Sequence, residues 1–193
     1  MQERMQQYLE RQRYYLQHLE AMWADPLVQM YNDAELPENA DEASAFLGGP
    51  TSRNQILMYN HRCILVNCLR ICGYKGRIFV PEPRGHEERG DFTERGFIHR
   101  WESSRLIRAK RKVFWVPRNS GELMGLNTNF EWGYFLGKAS SLTEEEKVST
   151  MFIGWPTDAD RMGLPHHYSH ELEGHRIYNG IPGLTEAVAK AAR

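Results

Sequence analysis

The sequence predicts an α/β protein: a doubly wound parallel sheet preceded by a long N-terminal helix. Two observations carry this. From Ala43 onward, short apolar runs alternate with helical stretches, the pattern of parallel strands joined by crossover helices. Ahead of them, residues 1–24 keep a helical apolar period and no strand period.

The elements follow in order. Met5, Leu9, Leu16, Leu19 and Trp23 recur at helical steps, with Gln12 completing the stripe. Asp25-Pro26 ends that helix, because a residue before proline is pushed out of helical geometry. Its stripe packs either on its own domain or on a second subunit; the sequence leaves both open. Residues 32–42 read as a polar linker, so the chain divides into a helix and linker over 1–42 and a main domain over 43–193. Ala43–Leu47 is the first expected strand, and residues 54–72 the helix after it, closed by Gly73 at the position that favours a left-handed cap. Arg77–Val80 is the second strand, stopped by Pro81. The charged stretch 84–96 is long enough to suggest a functional loop. A helix over 98–109 leads to a third strand, Val113–Val116, then a loop over 117–126 and a helix over 128–137. Val148–Ile153 is the fourth strand, and residues 184–192 form a closing helix.

The bulk composition narrows the function. The 193 residues carry 24 basic and 25 acidic side chains, a net charge of −1, which argues against duplex nucleic acid as partner. A small anionic ligand needs only one or two local arginines. Cys63, Cys68 and Cys72 lie on one expected helix and read as buried small apolar groups in a reducing compartment. No stretch approaches the ~20 apolar residues of a membrane span. The N-terminus is charged and Gln-rich without an apolar signal core, so the cytoplasm is the expected location.

In doubly wound sheets, ligands sit beyond the carboxyl ends of the strands, where the strand order reverses. Three segments are expected there: Gly48–Arg53, Pro81–Asp91 and Pro117–Glu131. Gly48-Gly49-Pro50-Thr51-Ser52-Arg53 reads equally as a tight turn or as a ligand cradle opening a helix. In the third segment, Asn127 or Thr128 can cap a helix, which would set Glu131 in its first turn. There the acid has a structural explanation, since it complements the helix dipole. Its neighbours favour chemistry. Asn127 and Asn129 can bind sugar hydroxyls, Trp115 and Trp132 can hold a base, and the carboxylate can act on an anomeric carbon. Trp101-Glu102 is expected to begin the helix before the third strand, offering a second carboxylate to the same place. Arg105, Arg108, Lys110, Arg111 and Lys112 read as a solvated basic helix end. His170-Glu171-Leu172-Glu173-Gly174-His175 has one residue too many for the zinc-protease spacing, so no metal is expected.

Four blocks, in order, carry a family likeness: Phe46-Leu47-Gly48-Gly49-Pro50-Thr51; Gly76-Arg77-Ile78-Phe79-Val80-Pro81-Glu82; Trp101-Glu102 through Val113-Phe114-Trp115-Val116-Pro117-Arg118; and Asn127-Thr128-Asn129-Phe130-Glu131-Trp132-Gly133. Gly154-Trp155-Pro156 with Ala159 is a weaker fifth. Over residues 43–190 the chain resembles the nucleoside 2-deoxyribosyltransferase-like family, including its deoxynucleotide N-glycosidase relatives. The resemblance implies a flavodoxin-like (Rossmann-like) domain with a glutamate nucleophile, which maps to Glu131, and an acid engaged with the base, which maps to Glu102. Many relatives carry Asp at the latter place, and Lys110 or Arg111 replaces a usual small acid before the third strand. The resemblance also implies a dimer or larger homo-oligomer, and tyrosine assistance that the sequence does not assign.

The expected activity is cleavage of the N-glycosidic bond of a (deoxy)nucleoside or nucleotide, with transfer to another base or to water and without a cofactor. The substrate contacts expected are Gly48, Gly49, Pro50, Arg53 (a candidate for a 5′-phosphate), Trp101, Asn127 and Asn129. Two other classes stand beside it: a non-catalytic nucleotide sensor on the same fold, and an assembly protein using the N-terminal helix as interface.

Overall fold

The computed structural model describes residues 2–31, 33–34, 43–50, 61–85, 95–118, 126–139, 141–172 and 174–193. Six strands form one sheet: β1 (Val28–Gln29), β2 (Ala45–Gly48), β3 (Ile78–Phe79), β4 (Arg111–Trp115), β5 (Met151–Gly154) and β6 (Ile177–Tyr178). Their spatial order is β1-β3-β2-β4-β5-β6, and every pairing is parallel. The five strands from β2 onward reproduce the flavodoxin-like order, with β1 added at the β3 edge. The direction of winding reverses between β2 and β4, so the carboxyl ends of those two strands mark the ligand crevice expected of such folds.

The helices are α1 (Gln2–Ala24), α2 (His61–Ile71), α3 (Arg95–Arg108), α4 (Leu126–Ala139), α5 (Glu144–Thr150), α6 (Gly163–His166) and α7 (Ile181–Lys190). Alternate strand residues face opposite layers, the period-two geometry of a sheet covered on both faces. Ala45, Leu47, Ile78, Val113, Trp115 and Phe152 join α1, α2 and α7 in one apolar cluster. Phe46, Phe79, Phe114, Met151 and Ile153 join α3 and α4 in the other.

Several expectations change. The N-terminal segment is no detached extension: Leu19 and Met22 are buried against α2, and Val28–Gln29 adds a strand to the sheet. Leu19 and Trp23 of the α1 stripe thus pack on the chain's own sheet layer, while the side chains of Met5, Leu9 and Gln12 lie outside what is described. Met22, outside the expected stripe, is fully buried, whereas Leu16 is only half-buried. The expected fourth strand loses its start to α5, whose Thr143–Glu146 capping box holds the chain helical through Thr150. The basic run is not a solvated helix end. Arg105 is buried over the Phe79 and Trp101 rings, and Arg111 is buried on β4 with Nη2 donating to the Ala191 carbonyl at 2.5 Å. Burial lowers Lys112 to about 8, helped by Lys138 and Lys110. Gly73 does take the left-handed cap, with φ +84. Residues 54–60 of the expected second helix, and most of the loops expected over 84–96 and 117–126, lie outside the described residues. Among the described residues, no helix is long and apolar enough to cross a membrane.

Candidate active site

Both carboxylates singled out in the sequence come to the carboxyl edge of the sheet. α4 starts at that edge after β4 and carries Glu131 in its second turn, not its first. Asn127 and Thr128 are helical there, so the dipole no longer accounts for the acid. Thr128, Trp132 and Phe135 face inward and are buried, and Glu131 flanks them, half-buried. Glu102 lies in the middle of α3, which begins at Arg95 and not at Trp101.

The two acids interact. Burial first, then the charge of Glu102, push the Glu131 carboxyl from 4.5 up to about 7, while Arg62 pulls the other way. Glu131 makes no hydrogen bond or ion pair among the described residues, so nothing in them ties its oxygens elsewhere. Glu102 is held from two sides. The Tyr31 hydroxyl donates to Oε1, and His99 Nδ1 stands 3.9 Å from Oε2. Tyr31 is buried just past β1, and its ring meets Trp101 edge-on at 5.0 Å.

Arg62, buried in the first described turn of α2, fastens the neighbouring strand ends together. Its Nε donates to the Leu47 carbonyl at 3.2 Å, Nη2 to the Gly49 carbonyl at 2.6 Å, and Nη1 to Glu82 at 2.5 Å. Glu82 follows β3, so one guanidinium bridges the ends of β2 and β3 while its charge reaches Glu131. On the far side, Trp132 packs against Trp155, beyond β5, with ring centroids 5.8 Å apart.

The remaining predicted contacts divide. Gly48, Gly49 and Pro50 are buried, and the first two have a packing explanation. A side chain on Gly48 would strike the Phe114 ring, and one on Gly49, at φ +156, would strike the Trp115 carbonyl and His61. Thr51, Ser52 and Arg53, which complete the segment, lie outside the described residues. Trp101 is buried in the layer between sheet and α3, where its ring meets Tyr31 and Phe79. Asn127 is exposed one turn before Glu131, on the same side of α4. Asn129 is about 200° round the helix from Glu131 and accepts a hydrogen bond from Arg118, so it does not converge on the acid. Arg53 lies outside the described residues.

Tyr31, Arg62 and Glu82 were not read as site residues from the sequence. Glu82 was open to it, as an acid directly after a proline-stopped strand. The histidines sit near Trp155. His166 packs on that ring at 6.2 Å and on His170 at 5.2 Å, and a π-helical turn winds His167–Leu172. His170 Nδ1 meets the His175 carbonyl at 3.1 Å, tying that turn to the chain beyond it.

Fold and site together define a class: a flavodoxin-like parallel α/β protein with two interacting carboxylates at its strand-order reversal. No family model matches the chain, and no curated protein matches its sequence.

Proposed function

We propose that the chain cleaves the N-glycosidic bond of a (deoxy)nucleoside or nucleotide, with Glu131 as the carboxylate acting on C1′ and Glu102 serving the departing base. The observation that carries this reading is the electrostatic interaction of Glu102 on α3 with Glu131 on α4, in a sheet whose strand order reverses between β2 and β4.

The chemistry follows from the electrostatics. Breaking the bond leaves positive charge on the sugar ring, and a carboxylate beneath C1′ stabilises it. Glu131 is an unhappy anion in the resting protein, because burial and Glu102 both oppose its charge. A cation forming beside it relieves that cost, so the interaction is stronger in the transition state than in the ground state, which is what accelerates a reaction. Attack by a Glu131 oxygen forms a glycosyl ester as the C1′–N bond breaks. The Glu102 carboxylate orients a water that protonates the departing base, and the proton released when water or a second base opens the ester restores the balance. Water then opens the ester to give the free sugar, or a second base opens it to give a new nucleoside. The same residues serve both outcomes.

Asn127, exposed one turn before Glu131, supplies a polar group beside the acid for a small nucleoside or nucleotide. The family resemblance supports a homo-oligomer, and the three unpaired cysteines fit the reducing cytoplasm. The test is incubation with a panel of nucleosides and their 5′-monophosphates, with and without a free acceptor base, followed by chromatography. Base release or exchange is expected from the native chain and lost in Glu131→Ala and Glu131→Gln. Absence of product across the panel, or wild-type rates from either variant, overturns the reading.

A further inference from the structure

A pair of arginines meets where β4 and β5 finish. Arg118 follows β4; its Nη2 donates to the Asn129 side chain, in the first turn of α4, and its Nη1 donates to the Arg161 carbonyl at 3.4 Å. The Asp160 amide in turn donates to the Arg118 carbonyl at 3.0 Å. Arg161 is held at φ +54, a left-handed conformation that no other non-glycine adopts among the described residues.

These contacts gather positive charge, and the described residues bring no counter-ion into contact with it. Among the described residues, no carboxylate forms an ion pair with either guanidinium. The Arg118 Nε–H is buried and has no acceptor there. Burial, then the charge of Arg161, lower Arg118 from its ordinary value. The amino end of α4, fourteen residues long, adds its dipole beside them. A buried donor without an acceptor and two like charges side by side are both costly, and a bound anion removes both costs.

We propose that Arg118 and Arg161 form an anion site that takes a phosphoryl group. A tetrahedral dianion offers several acceptor oxygens at once and so matches two guanidinium forks, whereas one carboxylate saturates a single fork. The phosphoryl group has two sources: the 5′-phosphate of a nucleotide substrate, which rests on the proposed glycosidase reading, or free inorganic phosphate, which does not.

The test separates these. Inorganic phosphate is titrated calorimetrically into the full chain at low and high salt, and then into Arg118→Gln and Arg161→Asn. Asn suits the left-handed backbone, and Arg161 is exposed, so that variant keeps the fold. Binding that weakens about tenfold or more in both variants, and falls with salt, supports the site. Undiminished binding in both variants, or none in the native chain to inorganic phosphate or to a nucleoside monophosphate, overturns it. If turnover is found, the KM for the monophosphate rises in parallel with the phosphate dissociation constant when the 5′-phosphate is the occupant. A KM that stays put while phosphate binding weakens assigns the site to free phosphate. Phosphate binding lost in the variants of a chain that releases no base leaves the anion site standing and removes the glycosidase. Base release with no response to either arginine does the reverse.

Discussion

The Tyr31 hydroxyl donates to the Glu102 carboxylate, joining the end of β1 to the middle of α3 across 71 residues of chain. The bond gives the added edge strand a role at the carboxyl edge. It fixes one acid of the pair through a segment that the sequence sets apart from the main domain. Tyr31→Phe removes the hydroxyl and keeps the ring on Trp101. Stability should fall by about 1–2 kcal/mol, since a bond to a charged group is lost and little volume with it. Urea denaturation reads the difference. In an active enzyme the variant should also lower kcat more than it raises KM, because Glu102 loses its orientation and the substrate loses no contact. An unchanged stability would show that the bond contributes nothing in solution.

How much of this was legible beforehand follows from how local each signal is. β2, β3 and β4 are apolar runs stopped by glycine or proline, and each stands within a few residues of its expected place. β1 and β6 are two residues long and become strands only by pairing with β3 and β5. Val148–Ile153 looks like one strand in composition, yet the Thr143–Glu146 capping box just before it wins its first half for α5. At the site, the acids were legible because each stands beside tryptophan in a short motif. Arg62–Glu82 and Tyr31–Glu102 were not, because their partners lie 20 and 71 residues away and no local pattern links them. The amides misled. Asn127 and Asn129 look adjacent in sequence, but on a helix two residues apart means nearly opposite faces.

Glu131 predicts a pH dependence in both stability and activity. Its pKa is raised from 4.5 to about 7 on folding, so between those values the folded chain binds more protons than the unfolded one. Its contribution to stability is therefore largest at low pH and is lost as pH rises towards 7. Subtracting the denaturation curve of Glu131→Gln from that of the native chain isolates this contribution. The difference should fall across pH 4.5–7 and level off above. If Glu131 attacks as an anion, kcat/KM should climb through about pH 7. A profile that declines there would assign Glu131 the role of an acid and remove it as nucleophile.

Arg62 should matter doubly. It is buried, bridges Leu47 and Gly49 to Glu82, and its charge favours the ionised form of Glu131. Arg62→Ala takes one shared donor from the Leu47 and Gly49 carbonyls and from Glu82, at a cost of about 3–5 kcal/mol. Arg62→Lys keeps a charge but cannot span the same three acceptors, so it should fold better and still be destabilised. The diagnostic is the acid limb of the activity profile. It should move to higher pH when the charge is removed and stay close to its native position with lysine. An acid limb that ignores both variants would reduce Arg62 to a structural brace.

Two glycines on this edge should respond in opposite senses. Gly49→Ala sets a methyl against the Trp115 carbonyl and His61, at a backbone angle that side chains rarely take. The ends of β2 and β4 must separate or the turn must refold, and a loss of about 2 kcal/mol or more is expected. Gly133, by contrast, lies inside α4 with open space where a methyl would stand. Gly133→Ala restricts the unfolded chain and disturbs no neighbour, so it should stabilise by about 0.5–1 kcal/mol. Thermal and urea denaturation of both variants, at several protein concentrations, decide the matter. If Gly133→Ala destabilises, and does so more at high concentration than at low, the open space beside α4 is filled in solution by a second copy. The glycine is then an approach point between subunits, a few residues from the acid that carries the proposed chemistry.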